Sequence, residues 1–159
     1  MVVRARSSPR TGRRWPGIYH SGLATGLASF ESDVPSWEQW EAAHLAELRF
    51  VAEARDGVVG WLAVSPVSRR ECYRGVVEHS VYVDEASRGK GAGRALLERL
   101  VAEAPAHGIW TLQTSIIVGN EASLALHAAV GFRTVGRRER IAQRDGIWHD
   151  TVLLELRLP

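Results

Sequence analysis

The segment Val81-Tyr-Val-Asp-Glu-Ala-Ser-Arg-Gly-Lys-Gly-Ala-Gly-Arg-Ala-Leu-Leu97 constrains this chain more than any other. An apolar strand runs into a glycine-rich turn, and the turn runs directly into an apolar helical pattern. Gly89, Gly91 and Gly93 lack Cβ atoms, so the backbone there can curl and present its N–H groups to an anion. The free amides and positive dipole end of the following helix point at the same spot. Lys90 and Arg94 add full positive charge. A diphosphate needs this geometry. Two common phosphate sites fit poorly. A P-loop requires Gly-Lys-Ser/Thr at the end of its loop, whereas Gly93 is followed by Arg94-Ala95. A dinucleotide turn opens a parallel βαβ unit, whereas this turn follows a hairpin-rich half. A glycine turn with a purely structural role is the bland alternative.

The rest of the pattern mixes short strands with helices. Val2 to Ala5 reads as a first strand. Trp15 to Leu27 reads as a helix weakened by Gly17, Gly22 and Gly26. Ser36 and Gln39 form a capping-box pair opening a second helix after Pro35. Arg49 to Ala54 and Val58 to Ser65 read as strands turned by Asp56-Gly57. After a polar loop, Tyr73 to Val83 reads as a long strand. Gly91 to Ala104 is helical, with Leu96, Leu97, Leu100, Val101 and Ala104 in one stripe. Trp110 to Val118 is strand-like. Asn120 as N-cap and Gly131 as C′ residue bound a helix over 121–130. Strands near 132–142 and 147–157 turn at Asp145-Gly146. These elements predict one α/β (α+β) domain across residues 1–159, with a mixed, mostly antiparallel sheet of six to seven strands. About four helices should cover both of its faces.

With 159 residues the chain suits one domain and one core. Six tryptophans are expected as core or pocket walls. The pI of about 9.1 raises the question of nucleic acid. Of 20 basic residues, five arginines (Arg4, Arg6, Arg10, Arg13, Arg14) crowd the first 14 positions, leaving 15 against 18 acidic residues in the body. The body is therefore not a basic surface, and no nucleic-acid partner is expected. No stretch approaches the roughly 20 apolar residues of a membrane helix. The one cysteine, Cys72, permits no intrachain disulfide, and a cytoplasmic location is expected.

Arg88-Gly-Lys-Gly-Ala-Gly93 resembles the Arg/Gln-x-x-Gly-x-Gly/Ala pyrophosphate signature of the GNAT superfamily of N-acetyltransferases. Val77-Glu-His-Ser-Val-Tyr-Val83 looks like the strand before that loop. Asn120-Glu-Ala-Ser-Leu-Ala-Leu-His-Ala-Ala-Val-Gly-Phe132 looks like the helix flanking the pantetheine arm. Within the superfamily the chain is similar to the phosphinothricin and methionine-sulfoximine acetyltransferase subgroup. The matching pieces are Ile18-Tyr19, Ala24-Thr25, Ser29-Phe30-Glu31, Tyr73-Arg74, Glu78 and Asp145-Gly-Ile-Trp-His-Asp150. The likeness spans about residues 15 to 157. The front departs from it: Arg6 to Arg14 stands where the family has an acidic residue and a regular amphipathic helix, so the first helix is expected to be short or displaced.

The resemblance implies an acetyl-CoA-dependent N-acetyltransferase acting on a small amine, with no metal. Such an enzyme must hold the amine near the thioester carbonyl, take its proton and stabilise the oxyanion. Glu78 is the candidate base, since the subgroup's catalytic glutamate aligns with it. Strand alternation puts Glu78, Ser80 and Tyr82 on one face and Val77, His79, Val81 and Val83 on the other. A glutamate paired to Arg74 or Lys90 is the structural alternative. By the same alternation His79 faces away from Glu78 and reads as structural. His127 stands where many relatives carry the general acid for the leaving thiolate, and helix packing is its alternative role. His149 is a weaker candidate for the pocket. The six histidines and Cys72 show no metal-ligand spacing.

The coenzyme site is expected to use main-chain groups of Val81, Tyr82 and Val83, pairing as an added strand would. Arg88, Gly89, Lys90, Gly91, Ala92, Gly93 and Arg94 should hold the diphosphate, and Asn120 and Ser123 the pantetheine arm. Phe30 and Glu31 belong to the expected acceptor loop. Arg69, Arg70, Tyr73 and Arg74 are expected to meet an acidic acceptor, because an arginine fork matches a carboxylate or phosphinate. The resemblance also implies a homodimer. Two rival readings stand beside this one. One keeps the fold with a protein N-terminus, lysine, polyamine or aminoglycoside as acceptor. The other is a non-catalytic CoA-binding sensor, which would not need Glu78.

Overall fold

The computed structural model describes residues 1–5 and 14–159. Most of the arginine-rich start, including Arg6, Arg10 and Arg13, lies outside the described residues. In chain order the elements are β1 (Val2–Ala5), α1 (Trp15–Leu23), α2 (Trp37–Ala43), β2 (Phe50–Ala54), β3 (Gly57–Pro66), β4 (Val76–Val83), α3 (Ala92–Glu103), β5 (Thr111–Ile117), α4 (Glu121–Val130), β6 (Arg133–Arg144) and β7 (Ile147–Arg157). The seven strands form one sheet in the order β1-β2-β3-β4-β5-β7-β6. Every neighbouring pair is antiparallel except β4 and β5.

Local chemistry explains the boundaries. The capping box forms: Gln39 N–H donates to Ser36 Oγ at 3.2 Å, and Ser36 N–H donates to Gln39 Oε1 at 2.9 Å. Asn120 caps α4, and Gly131 closes it in the left-handed conformation. The first helix ends at Leu23 rather than Leu27, because Gly26 takes a positive φ of 69° and breaks the pattern. The strand expected from Tyr73 begins only at Val76, since residues 71–73 wind into a 3₁₀ turn ahead of it.

The sheet has a separate core on each face. One side packs α3 and α4 through Leu96, Leu97, Leu100, Leu62, Val64 and Val77. The other is aromatic, with Trp15, Tyr19, Trp40, Trp61 and Tyr82 buried against α1 and α2. Trp61 and Tyr82 are partners across the β3–β4 ladder and stack at 4.6 Å, and Tyr19 stacks on both. Each such pair contributes about 0.5–1.5 kcal/mol beyond its buried area. Trp110 and Trp148 are exposed, against the expectation that the tryptophans are core or pocket walls.

Candidate active site

The sheet splits at its one parallel pair. The β4–β5 ladder runs only from Val76–Thr111 to Glu78–Gln113. Beyond it β4 continues to Val83, while β5 continues to Ile117 in register with β7 alone. The β5-facing edge of β4 past Glu78 thus has no ladder partner, as an added strand requires. Two cavities occupy the wedge. One, of about 500 Å³, has Glu78, Ser80, Phe30, Glu31 and Ser115 among its walls. The other, of about 410 Å³, is bounded by Val83, Arg88, Gly89 and residues 91–94. They meet at Leu27, Ala28, Val81, Tyr82, Asn120 and Ser123, which line both.

The second cavity fits a diphosphate. Gly91 precedes α3 with φ of 86° and no side-chain cap. The first intrahelical bond runs from Ala95 N–H to the Gly91 carbonyl at 3.0 Å, so the amides of Ala92, Gly93 and Arg94 have no partner inside the helix. Arg88 folds back to donate from Nε to the Val83 carbonyl at 3.3 Å. Arg94 pairs with Glu98 at 2.7 Å. Lys90 is not among the walls; its Nζ donates to the Ala86 carbonyl at 2.7 Å. Asn120 is largely engaged in the fold: Oδ1 accepts from Ser123 N–H and Nδ2 donates to the Leu27 carbonyl.

In the first cavity, Glu78 is half-buried on the face of β4 that carries Tyr82. Its carboxylate accepts a long bond of 3.5 Å from Gln113 Nε2. It forms no ion pair with Arg74, which joins Glu71 at 3.5 Å, or with Lys90. The loop that carries Phe30 and Glu31 is pinned from the far end of the chain. Arg144 donates to the carbonyls of Ser29 at 3.0 Å and Gly26 at 2.9 Å, and His149 packs on Phe30 at 5.5 Å. Burial pushes the phenols of Tyr19 and Tyr82 above their usual range, so both are donors rather than bases.

Two expected groups sit differently. His127 is 1% exposed, with both ring nitrogens engaged: Nδ1 lies 2.7 Å from the Ser123 carbonyl and Nε2 lies 2.9 Å from Nε2 of His79. Burial holds His127 below the ordinary histidine range, which disfavours the imidazolium. Arg70, Tyr73 and Arg74 lie outside both cavity walls. Arg70 covers the Tyr73 ring and Arg74 covers Trp110. The charged side chains in the first cavity are Glu31 and Glu78, together with the ionisable His44, His79 and His127. Sequence reasoning did not single out Ser115 or His44, and it read Gln39 only as a capping residue and not as a cavity wall. Among the described residues no group of three or more His, Cys, Asp or Glu is placed to hold a metal ion.

The sequence pattern of the Acetyltransferase (GNAT) family matches residues 17–132. The chain belongs to this family. It is 34% identical over 147 residues to an L-methionine sulfoximine/L-methionine sulfone acetyltransferase of Pseudomonas paraeruginosa, covering 89% of this chain and 86% of that one. The fold superposes with a TM-score of 0.88 on the ribosomal-protein-alanine N-acetyltransferase of Brucella melitensis, at 30% identity over 99% of this chain and 100% of that one. It superposes with a TM-score of 0.87 on a GNAT superfamily phosphinothricin acetyltransferase of Sinorhizobium meliloti in complex with acetyl-CoA, at 29% identity over 99% and 88%. The protein is an acetyl-CoA-dependent N-acetyltransferase.

Proposed function

We propose that this enzyme acetylates the α-amine of a small amino-acid-like acceptor of the methionine sulfoximine or phosphinothricin type, with Glu78 as the base. The carrying observation is the placement of Glu78 in a 500 Å³ cavity that opens, along the unpaired edge of Val81 and Tyr82, into the glycine-turn cavity. That volume suits one small substrate and a transferable group. The names of the Pseudomonas and Sinorhizobium relatives supply the acceptor class.

Bound acetyl-CoA supplies a thioester carbonyl that is reactive toward a free amine. The chain does the rest. The amides at the start of α3, with Arg88 and Arg94, hold the diphosphate. The backbone of Val81, Tyr82 and Val83 aligns the pantetheine arm, and Asn120 and Ser123 border it. Glu78 takes a proton from the acceptor's ammonium, directly or through one water. Phe30 and Glu31 close the acceptor side.

The test is a thiol-release assay with acetyl-CoA against methionine sulfoximine, phosphinothricin, ordinary amino acids, a dipeptide series, polyamines and aminoglycosides. The expected result is turnover with the first two groups. Turnover confined to peptides would instead favour a protein N-terminus; a protein acceptor is what the name of the Brucella relative gives. Release with polyamines or aminoglycosides alone would fit the acidic residues of the cavity, Glu31 and Glu78. No release with any of them would leave a CoA-binding sensor. Arg70, Tyr73 and Arg74 stand away from the walls of both cavities and have no part in this reading.

We further propose a homodimer. Val135, Ile141, Ile147 and Trp148 place exposed apolar surface on the β6–β7 hairpin, which a second copy would cover. Light scattering should give twice the chain mass. A cytoplasmic site accords with the free, exposed Cys72. No helix among the described residues is long and apolar enough to cross a membrane.

A further inference from the structure

Two buried imidazoles, 48 residues apart in sequence, meet behind the junction of the cavities. Their protons can be assigned from their partners. Nδ1 of His127 lies 2.7 Å from the Ser123 carbonyl, which only accepts, so Nδ1 carries the hydrogen. A neutral His127 then has a bare Nε2. Nε2 of His79 stands 2.9 Å from it, and two bare nitrogens would repel at that distance. His79 therefore carries its hydrogen on Nε2 and donates it. Burial holds both rings below their usual range, which keeps the pair neutral. The cost is visible: Nδ1 of His79, fully buried beside the Gln113 backbone, completes no hydrogen bond to it. An unsatisfied buried acceptor calls for a reason.

The reason lies one residue further along. Ser123 Oγ is 3.4 Å from Nδ1 of His127, and Ser123 lines both cavities. With Nδ1 protonated, the hydroxyl cannot donate to the ring, so its hydrogen is free for a group in the junction. In the opposite tautomer a bare Nδ1 would accept that hydrogen and turn it away.

We propose that His79 is a positioning residue of the transfer reaction: by donating Nε2–H to His127 it joins the Ser123 carbonyl in fixing that ring's tautomer, and the ring leaves the Ser123 hydroxyl to donate to the coenzyme's sulfur. This rests on the reading above that Ser123 borders the pantetheine arm, and it adds that the arm's sulfur lies at the junction.

The test uses the whole chain. His79→Leu removes the donor and keeps the bulk, whereas His79→Gln puts an amide N–H near the position of Nε2. In the thiol-release assay H79L should lose about tenfold or more in kcat, the loss typical of removing a ring's orienting partner. Its KM for acetyl-CoA should not change, and H79Q should recover most of the rate. Histidine 15N spectra should show Nδ1–H on His127 in the unmodified enzyme and in H79Q, with a mixture of the two tautomers in H79L, where the Ser123 carbonyl acts alone. Equal kcat in the two variants, or Nε2–H on His127 in the unmodified enzyme, overturns the proposal. The spectrum of the unmodified enzyme decides even if a variant does not fold. Ser123→Ala at full kcat overturns the placement of the sulfur, and the proposal with it, while leaving the tautomer assignment standing.

Discussion

Gly22 lies flat against the ring of Tyr82: a Cβ added to it would stand 2.6 Å from Cδ1 and 2.7 Å from Cε1. The closest part of α1 therefore touches the residue whose backbone runs through both cavities. Within an exposed helix an alanine would gain about 1 kcal/mol over glycine. Here overpacking costs about 1–3 kcal/mol and wins, because the Tyr82 ring stacks on both Tyr19 and Trp61 and moving it would disturb both contacts. Gly22→Ala should lower the urea midpoint and weaken acetyl-CoA binding in calorimetry. A variant as stable as the parent, with unchanged affinity, would mean that α1 sits further from β4.

Glu78→Gln keeps the size of the side chain and its contact with Gln113 while removing the proton acceptor. General-base catalysis contributes about 10²–10⁴-fold, so kcat should fall within that range. Acetyl-CoA affinity should be unchanged, because Glu78 borders the first cavity and not the second. Activity that survives at parental level would remove Glu78 from its role.

Much of the frame was readable because it is local. The helix at 121–130 is bounded by Asn120 and Gly131, and the capping box at Ser36 and Gln39 forms as written. Alternation along β4 put His79 opposite Glu78, and it is. Alternation could not say what His79 would meet there, since His127 arrives from a distant helix. The wedge is non-local too: nothing in 76–83 or 111–117 announces that the two strands part after three paired residues. Arg70 and Arg74 were expected at the acceptor because their guanidinium forks match a carboxylate or phosphinate, whereas they lie over Tyr73 and Trp110.

Arg144 reaches across 115 residues to the Ser29 carbonyl and across 118 to that of Gly26. These bonds hold the loop that carries Phe30 and Glu31. Hydrogen bonds from a charged donor are worth about 1.5–3 kcal/mol each, less where solvent competes. Arg144→Ala should raise the KM for the acceptor about tenfold while leaving that for acetyl-CoA near its parental value. A fall in kcat with both KM values unchanged would contradict a role in shaping the acceptor pocket.

Burial of neutral His79 and His127 makes stability depend on pH in one direction. Their folded values lie below the unfolded value of about 6.5. Between the two, the unfolded chain binds more protons, so stability rises with pH there and is lost as pH falls below about 6.5. Each group contributes about 1.4 kcal/mol per pH unit in that window. Asp150 does not mask the effect. The Arg140 amide and the Arg137 guanidinium hold its carboxyl below the usual range, so its contribution is lost only in stronger acid. Urea unfolding should therefore show a stability lower by about 1–3 kcal/mol at pH 5.5 than at pH 7.5. Burial holds His44 below the usual range as well, so His79→Gln removes one of three such sites and should shrink the difference by about a third. A flat profile across that interval would mean that the pair already shares a proton at neutral pH.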